Sequence, residues 1–354
     1  MSTVTLCCMR NLLAACRATK TAYISGHLRK YTCPQLYRTF STRPTVACDR
    51  KANHCYHCIR LSECETGKNH YYYIQRAVLT PLVKVDVAGI DIALVGDSAA
   101  MVVHGHDTTL PITLDDMITH ARSVKRAVRR AMIVGDLPFG TYEESPTRAV
   151  CSALRMIKDG GADAVKLEGA IEPRLSAIRS IKAAGIPVMG HIGLTPQSIN
   201  ALGGFKPQGR NADGALNLVE NAMRLEEAGC FAVVVECVPE VVTLAIRGAI
   251  DIPIIGIGAG RHADGQILVY HDILGLTVHP HHAKVSPRFC KQYAQLGDDA
   301  IVALETFKHE VVSNVFPGAQ FCPYVMGGDE LNNFVTGLQK LGLKTAAEDA
   351  KDYL

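Results

Sequence analysis

Six side chains in the middle of the sequence have types and spacings that could do chemistry together: Asp97, Asp136, Lys166, Glu168, His191 and Glu236. They fall at or just after the ends of short apolar runs, as in LVGD (94–97), MIVGD (132–136), AVKLEG (164–169) and AVVVE (232–236). Asp97 and Asp136 each stand in a Gly-Asp turn. One such Asp is ordinary, because a carboxylate after a strand caps a turn or the next helix. Two of them, joined by Glu168, could share a hard cation. Mg²⁺ favours one or two carboxylates completed by water and substrate oxygens, whereas zinc would ask for His or Cys and only His191 is near. Glu236 follows four apolar residues, Ala232 to Val235. Partial desolvation there raises the basicity of a carboxylate; the plainer alternative is a buried Glu paired with a cation. Lys166 precedes Glu168 by two residues, so a strand directs both to one face. They could pair with each other, or Lys166 could face an anionic substrate.

Other candidates are weaker. Gly256-Ile257-Gly258-Ala259-Gly260 follows an apolar run but is not GxGxxG, so close backbone approach explains it as well as phosphate binding does. His279-Pro280-His281-His282 reads as a surface or lid loop rather than a metal site. His54-Cys55-Tyr56-His57-Cys58 holds one CxxC without a second pair, a weak zinc signal.

Positioning the six residues requires a repeated unit, and one is visible from about residue 85 onward. Short Val- and Ile-rich runs recur at 88–98, 129–139, 160–169, 183–194, 227–239, 250–260 and 266–276. They lack the alternation of a half-exposed strand and read as strands buried on both faces. Stretches of helical length lie between them, at about 113–128, 145–159, 172–184, 213–228 and 239–249. Pro146 and Pro173 suit first helical turns, and Ser145 is an N-cap candidate. Alternating strands and helices imply a parallel sheet. Polar residues at successive strand ends favour a closed (β/α)8 barrel over an open sheet, because only a barrel gathers strand C-termini at one mouth.

The charge distribution sets the rest apart. Residues 1–48 hold seven Lys or Arg and no acid; the whole chain is +3, so residues 49–354 carry −4. A basic pI that belongs to the N-terminus removes the electrostatic argument for a nucleic-acid partner. An Arg-rich, acid-free N-terminus has the composition of an organellar transit peptide, and Arg38-Thr39-Phe40-Ser41 suits a mitochondrial matrix address. Eight of the 13 Cys fall in the first 64 residues, so the remainder does not read as a disulfide framework. No apolar run is long enough to call a membrane span. The expected organisation is a transit peptide at 1–48, a poorly ordered leader at 49–74, a barrel at 75–325 and a C-terminal extension at 326–354.

Several longer motifs resemble one family. LVGDSAAMVVHGHDTTLPITLDDM (94–117), VGDLPFGTYE (134–143), AVKLEG (164–169), MGHIGLTPQSINALGGFKPQGR (189–210), VVECVP (234–239) and IGIGAGRHADGQILVYHDILGL (255–276) are similar, in order, to ketopantoate hydroxymethyltransferase. HPHHAKVSPRFCKQYAQLG (279–297) resembles the plant-type form. The resemblance implies a TIM barrel of the phosphoenolpyruvate/pyruvate type and a homo-oligomer, usually a decamer. It implies transfer of a one-carbon unit from 5,10-methylenetetrahydrofolate to 3-methyl-2-oxobutanoate, giving 2-dehydropantoate on the route to pantothenate. It also implies roles: Asp97, Asp136 and Glu168 at Mg²⁺; Asp97, Ser98, Asp136 and Lys166 on the oxo acid; Glu236 as proton acceptor. The sequence departs at one place. A TAYD-like motif belongs near the first strand, where this chain reads YYYIQRAVLTPLVKVDVAGID (71–91), so strand 1 is expected to be atypical. Two other readings stay open: a related Mg²⁺-dependent oxo-acid C–C lyase, or an inactive isoform that co-assembles with an active subunit.

Overall fold

A computed structural model describes residues 5–9, 80–276 and 287–353. Seven parallel strands form most of a barrel: β2 (Ile92–Val95), β3 (Met132–Asp136), β4 (Ala164–Lys166), β5 (Val188–Gly193), β6 (Ala232–Glu236), β7 (Ile254–Ile257) and β8 (Gly265–Val269). The backbone of β1 (Thr5–Met9) runs antiparallel between β2 and β8 and closes the ring. The fold is thus of the TIM type with one strand reversed.

The strands from β2 to β7 are short and largely buried because both faces are covered, as a parallel sheet requires. Ile92, Leu94, Val134, Ala164, Met189, Val234 and Ile255 fill the barrel interior. Their neighbours Ala93, Val95, Ile133, Val165, Val188, Val233 and Val235 pack outward beneath the helices. This period of two decides which residues reach the mouth. Counting on from Val134, Ala164, Met189 and Val234, the next inward positions are Asp136, Lys166, His191 and Glu236, with Glu168 one step beyond Lys166.

Three of the helices begin at side-chain caps, at Thr113, Ser145 and Asn211. The helices are α1 (Thr80–Val87), α2 (Ala99–Val102), α3 (Leu114–Ala127), α4 (Pro146–Lys158), α5 (Arg174–Ala183), α6 (Ile199–Leu202), α7 (Ala212–Ala228), α8 (Glu240–Ala249) and α9 (Tyr270–Ile273). Thr113 and Asp116 form a reciprocal capping box at α3, which satisfies two otherwise orphaned amides. Ser145 accepts from Arg148 N at the start of α4, with Pro146 in its first turn. Buried Ala149, Ala153 and Met156 then form the inner stripe of α4.

The first strand is atypical, as expected: β1 runs antiparallel. Within the unusual stretch 71–91, residues 80–87 form α1, and residues 71–79 lie outside the described residues. The place next to β2 and β8 is taken by Thr5–Met9, which lies inside the segment read as a transit peptide; residues 10–48 lie outside the described residues, as do the CxxC and His279–His282. The compact unit holding the barrel ends at Ala294, and no strand follows Val269 among the described residues. A second unit, Gln295–Leu354, contains α10 (Leu296–Val312), α11 (Gly328–Lys340) and α12 (Lys344–Lys351). Leu331 and Val335 of α11 and Ala347 of α12 are its buried residues after α10.

Candidate active site

A cavity of about 630 Å³ opens at the C-terminal ends of the strands, and Asp97, Ser98, Asp136, Lys166, Glu168, His191 and Glu236 all line it. Every candidate named from the sequence is therefore brought to one place. Leu194, Phe205, Val234, Ile257 and Phe289 supply apolar wall.

The charged groups are held by short contacts. Asp136 and Lys166 end adjacent strands in register, and Lys166 Nζ lies 3.0 Å from Asp136 Oδ1 in a buried ion pair. The backbone N–H of Asp97 donates to Asp136 Oδ2 at 3.1 Å, which ties the turn after β2 to the end of β3. His191 stands between two acids, with Nδ1 3.3 Å from Glu168 Oε1 and Nε2 3.2 Å from Glu236 Oε2. Lys166 Nζ is also 3.3 Å from His191 Nδ1. Gly193 makes the last arrangement possible. Its φ is +93°, and a Cβ there would sit 2.1 Å from the carbonyl oxygen of Glu236, so only glycine lets the ends of β5 and β6 approach this closely. Cys237 then turns the chain at φ 52° directly after Glu236, in a region that non-glycine residues seldom occupy.

Crowding shifts the ionisations. Burial, and then the charges of Asp136 and Glu168, raise Asp97 to about 8. Burial also raises Asp136, against the opposing pull of Lys166. Burial would deprotonate Lys166, but Asp136, Glu168 and Asp97 together hold its pKa above the usual lysine value. Burial and the Lys166 charge push His191 down; Glu168 and Glu236 outweigh them and lift it to about 9. Burial would raise Glu168, yet its hydrogen bond to His191 and the charges nearby hold it low. Lys166 responds to three acids at once while each acid also feels its fellow acids, which is why the lysine is firmly charged and Asp97 carries the spare proton.

Asp97, Asp136, Glu168 and Glu236 face Lys166 and His191, and Asp272, Lys206 and Arg288 also line the cavity. Asp136 Oδ1 accepts no hydrogen bond despite its ion pair, which leaves an oxygen that a divalent ion could take up. As the side chains stand, no three of the described His, Cys, Asp and Glu form a ready-made metal cage. An oxygen-poor protein site of this kind suits Mg²⁺, which fills its octahedron with water and substrate oxygens, better than a cation needing a full protein cage.

The structure adds two residues that the motifs contained without revealing a role. Gln197 and Tyr142 are almost wholly buried, at 4% and 1% exposure, behind Asp97 and Glu168. Gln197 Nε2 donates to Asp97 Oδ2 at 2.9 Å, and the Gln197 backbone N–H donates to Glu168 Oε2 at 3.0 Å. Tyr142, whose phenol burial keeps protonated, donates to Gln197 Oε1 at 2.5 Å. Neutral polar residues in a loop give no periodic signal, and only the fold brings them behind the acids.

A TIM-type barrel whose mouth gathers acids, basic side chains and an apolar pocket is the architecture of an enzyme acting on a small anionic molecule. Residues 80–319 match the family model described as ketopantoate hydroxymethyltransferase, and the chain belongs to that family. It is 58% identical over 268 residues to mitochondrial 3-methyl-2-oxobutanoate hydroxymethyltransferase 1 of Arabidopsis thaliana, covering 76% of this chain and 77% of that one. It is 52% identical over 235 residues to 3-methyl-2-oxobutanoate hydroxymethyltransferase of Oleidesulfovibrio alaskensis, covering 66% and 79%. Among solved structures it is similar to 2,3-dimethylmalate lyase, a PEP mutase/isocitrate lyase superfamily member, at 17% identity and a TM-score of 0.41 over 77% of this chain and 89% of that one.

Proposed function

We propose that this chain transfers a hydroxymethyl group from 5,10-methylenetetrahydrofolate to 3-methyl-2-oxobutanoate, giving 2-dehydropantoate for pantothenate synthesis. Family membership supports the reaction, and the observation that carries the residue roles is the meeting of Asp97, Asp136, Lys166, Glu168 and Glu236 at one cavity. Asp97, Asp136 and Glu168 would hold Mg²⁺. Bound there, a divalent cation would draw electron density from the oxo acid and make its C3 hydrogen more acidic.

The remaining steps belong to the protein. Lys166 and Ser98 orient the carboxylate and oxo group of the substrate, with Lys166 offsetting negative charge that grows as the proton leaves. Glu236, the most accessible of the four acids at 16% side-chain exposure, takes the C3 proton. His191, 3.2 Å from Glu236 Oε2, holds that carboxylate in place. The C3 carbanion attacks the folate methylene carbon, and both bonds of that carbon to nitrogen break, one as the C–C bond forms and the other as water supplies the hydroxyl; the C3 proton taken by Glu236 and a proton from water pass to the two nitrogens, and tetrahydrofolate leaves. The apolar wall suits the branched end of the oxo acid and excludes water from the carbanion.

We also place the enzyme in the mitochondrion, in line with the plant relatives' names, in the matrix as the finer assignment, with residues 1–48 as the address. A homo-oligomer, a decamer on the family resemblance, is the proposed assembly, and sedimentation of the purified protein tests it. The decisive assay combines purified protein, Mg²⁺, methylenetetrahydrofolate and 3-methyl-2-oxobutanoate. Formation of 2-dehydropantoate that stops when folate is omitted is the expected result. Turnover of the oxo acid without folate would instead identify a lyase, and folded protein without product would reject the activity.

A further inference from the structure

Gln197 occupies an unusual position for an uncharged residue. It sits in the turn after β5, yet its side chain and backbone touch two acids from other loops: Asp97 after β2 and Glu168 after β4. Its hydrogen bonds leave no freedom in how the amide lies. Leu137 O can only accept, so Nε2 must face it, at 3.0 Å. The second Nε2 hydrogen then points at Asp97 Oδ2, 2.9 Å away. Oε1 receives the Tyr142 hydroxyl at 2.5 Å. Tyr142 is free to give that proton because its own oxygen accepts from Glu168 N–H at 3.3 Å. The result is a closed circuit, from Glu168 N–H to Tyr142, from Tyr142 to Gln197 Oε1 and from the Gln197 backbone N–H back to Glu168 Oε2, with Asp97 held as a branch by Gln197 Nε2. Every donor in it is matched, and the circuit is buried, where a flipped amide would leave two groups unpaired.

We propose that Gln197, oriented by Tyr142, is a positioning residue that fixes the spacing and facing of Asp97 and Glu168 and so sets how tightly the barrel mouth holds a divalent cation. The proposal rests on the reading that these two acids are metal ligands. One oxygen of Asp97 is committed to Gln197, which turns the other toward the cavity. Glu168 is likewise fixed through Oε2 by the Gln197 backbone and through Oε1 by His191. Groups that orient metal ligands typically change metal affinity about 10- to 100-fold when removed.

The test uses Mn²⁺ as a spectroscopic probe, with free ion counted by electron paramagnetic resonance in titrations of the full chain. Four proteins are compared: unaltered, Asp97→Asn, Gln197→Met and Tyr142→Phe, each checked for folding by circular dichroism and thermal melting. Gln197→Met should weaken Mn²⁺ about 10- to 100-fold. Tyr142→Phe, which leaves Gln197 present but its Oε1 without a donor, should weaken it by a smaller factor in the same direction and broaden the spectrum of the bound ion. If Gln197→Met does not fold, Tyr142→Phe alone decides. Affinity unchanged in folded Gln197→Met or, failing that, in Tyr142→Phe, while Asp97→Asn abolishes binding, would overturn the role of Gln197 and leave the metal reading standing. No Mn²⁺ binding by the unaltered protein, or none lost in Asp97→Asn, would overturn the metal reading and the proposal with it.

Discussion

The arc from β3 to β6 and the seam where β8, β1 and β2 meet are built from the same kind of hydrogen-bonded strand, yet they contribute very differently. The arc is uniformly parallel and delivers Asp136, Lys166, Glu168, His191 and Glu236 to the mouth. The seam contains a reversed strand and delivers Asp97 from the turn after β2 and Asp272 from the helix after β8. Strand direction explains the contrast. A parallel strand ends at the mouth and its last inward residue points into the cavity; an antiparallel strand starts there and carries its chain the other way. The seam therefore closes the ring while the arc carries the charge. Asp97 belongs to the arc energetically, because Asp136 and Gln197 hold it there.

The sharpest way to break this division is Glu236→Gln. The amide keeps the shape but cannot accept the proton, so exchange of the substrate C3 hydrogen with solvent and product formation should both fall about 10²–10⁴-fold. The melting temperature should hardly move, because Glu236 is partly exposed. Deuterium uptake followed by nuclear magnetic resonance measures the first, and uptake at the unaltered rate would remove Glu236 from the role of base. Lys166→Met should show the opposite balance. It strands Asp136 in a site where both side chains are at most 5% exposed, and breaking a buried pair from one side costs about 3–5 kcal/mol. Urea unfolding reads that loss. A cost no greater than the ~0–1 kcal/mol of a surface ion pair would show that the arc does not depend on it.

Much of the arc was legible beforehand for a physical reason. Strands buried on both faces appear as continuous apolar runs, and a barrel turns their ends into a common site, so Asp136, Lys166 and Glu236 could be picked out from position alone. Helix starts were legible where the cap chemistry is local, as at Ser145 and Pro146. The seam was not legible. Thr5–Met9 pairs with β8 across more than 250 residues of sequence, and no local pattern announces a partner so distant. The composition of residues 71–91 hinted that something differed there, but α1 at Thr80–Val87 shows that the stretch does not supply a strand where it is described. Gln197 and Tyr142 were hidden for another reason: their value lies in what they touch, and neither has a charge or a spacing that marks it.

The seam offers a milder test. Removing residues 1–9 strips β1 and leaves backbone groups of β2 and β8 without partners, so the melting temperature should drop. No side chain described at the mouth comes from β1, so Mn²⁺ affinity should stay within about twofold, as for distant independent sites. Loss of metal binding in a folded truncated protein would mean that the seam shapes the mouth after all.

The smallest predicted effect is a proton count. Without a cation, Asp97 titrates near 8 instead of its usual 3.8, so at neutral pH most molecules hold a proton that a metal must displace. Mg²⁺ affinity should therefore fall about tenfold for each pH unit below about 8, one pKa unit being about 1.4 kcal/mol, and level off above it. The same shift acts on folding with a fixed sign. A carboxyl raised in the folded state favours folding while protonated, so the metal-free protein should lose stability as pH rises from about 4 toward 8, and saturating Mg²⁺ should restore it. Calorimetric titration with Mg²⁺ in two buffers of different ionisation enthalpy counts the released proton directly. An affinity flat across that range, with no proton released, would mean that Asp97 is already ionised in the metal-free mouth, and that the acids of the arc crowd it less than their burial implies.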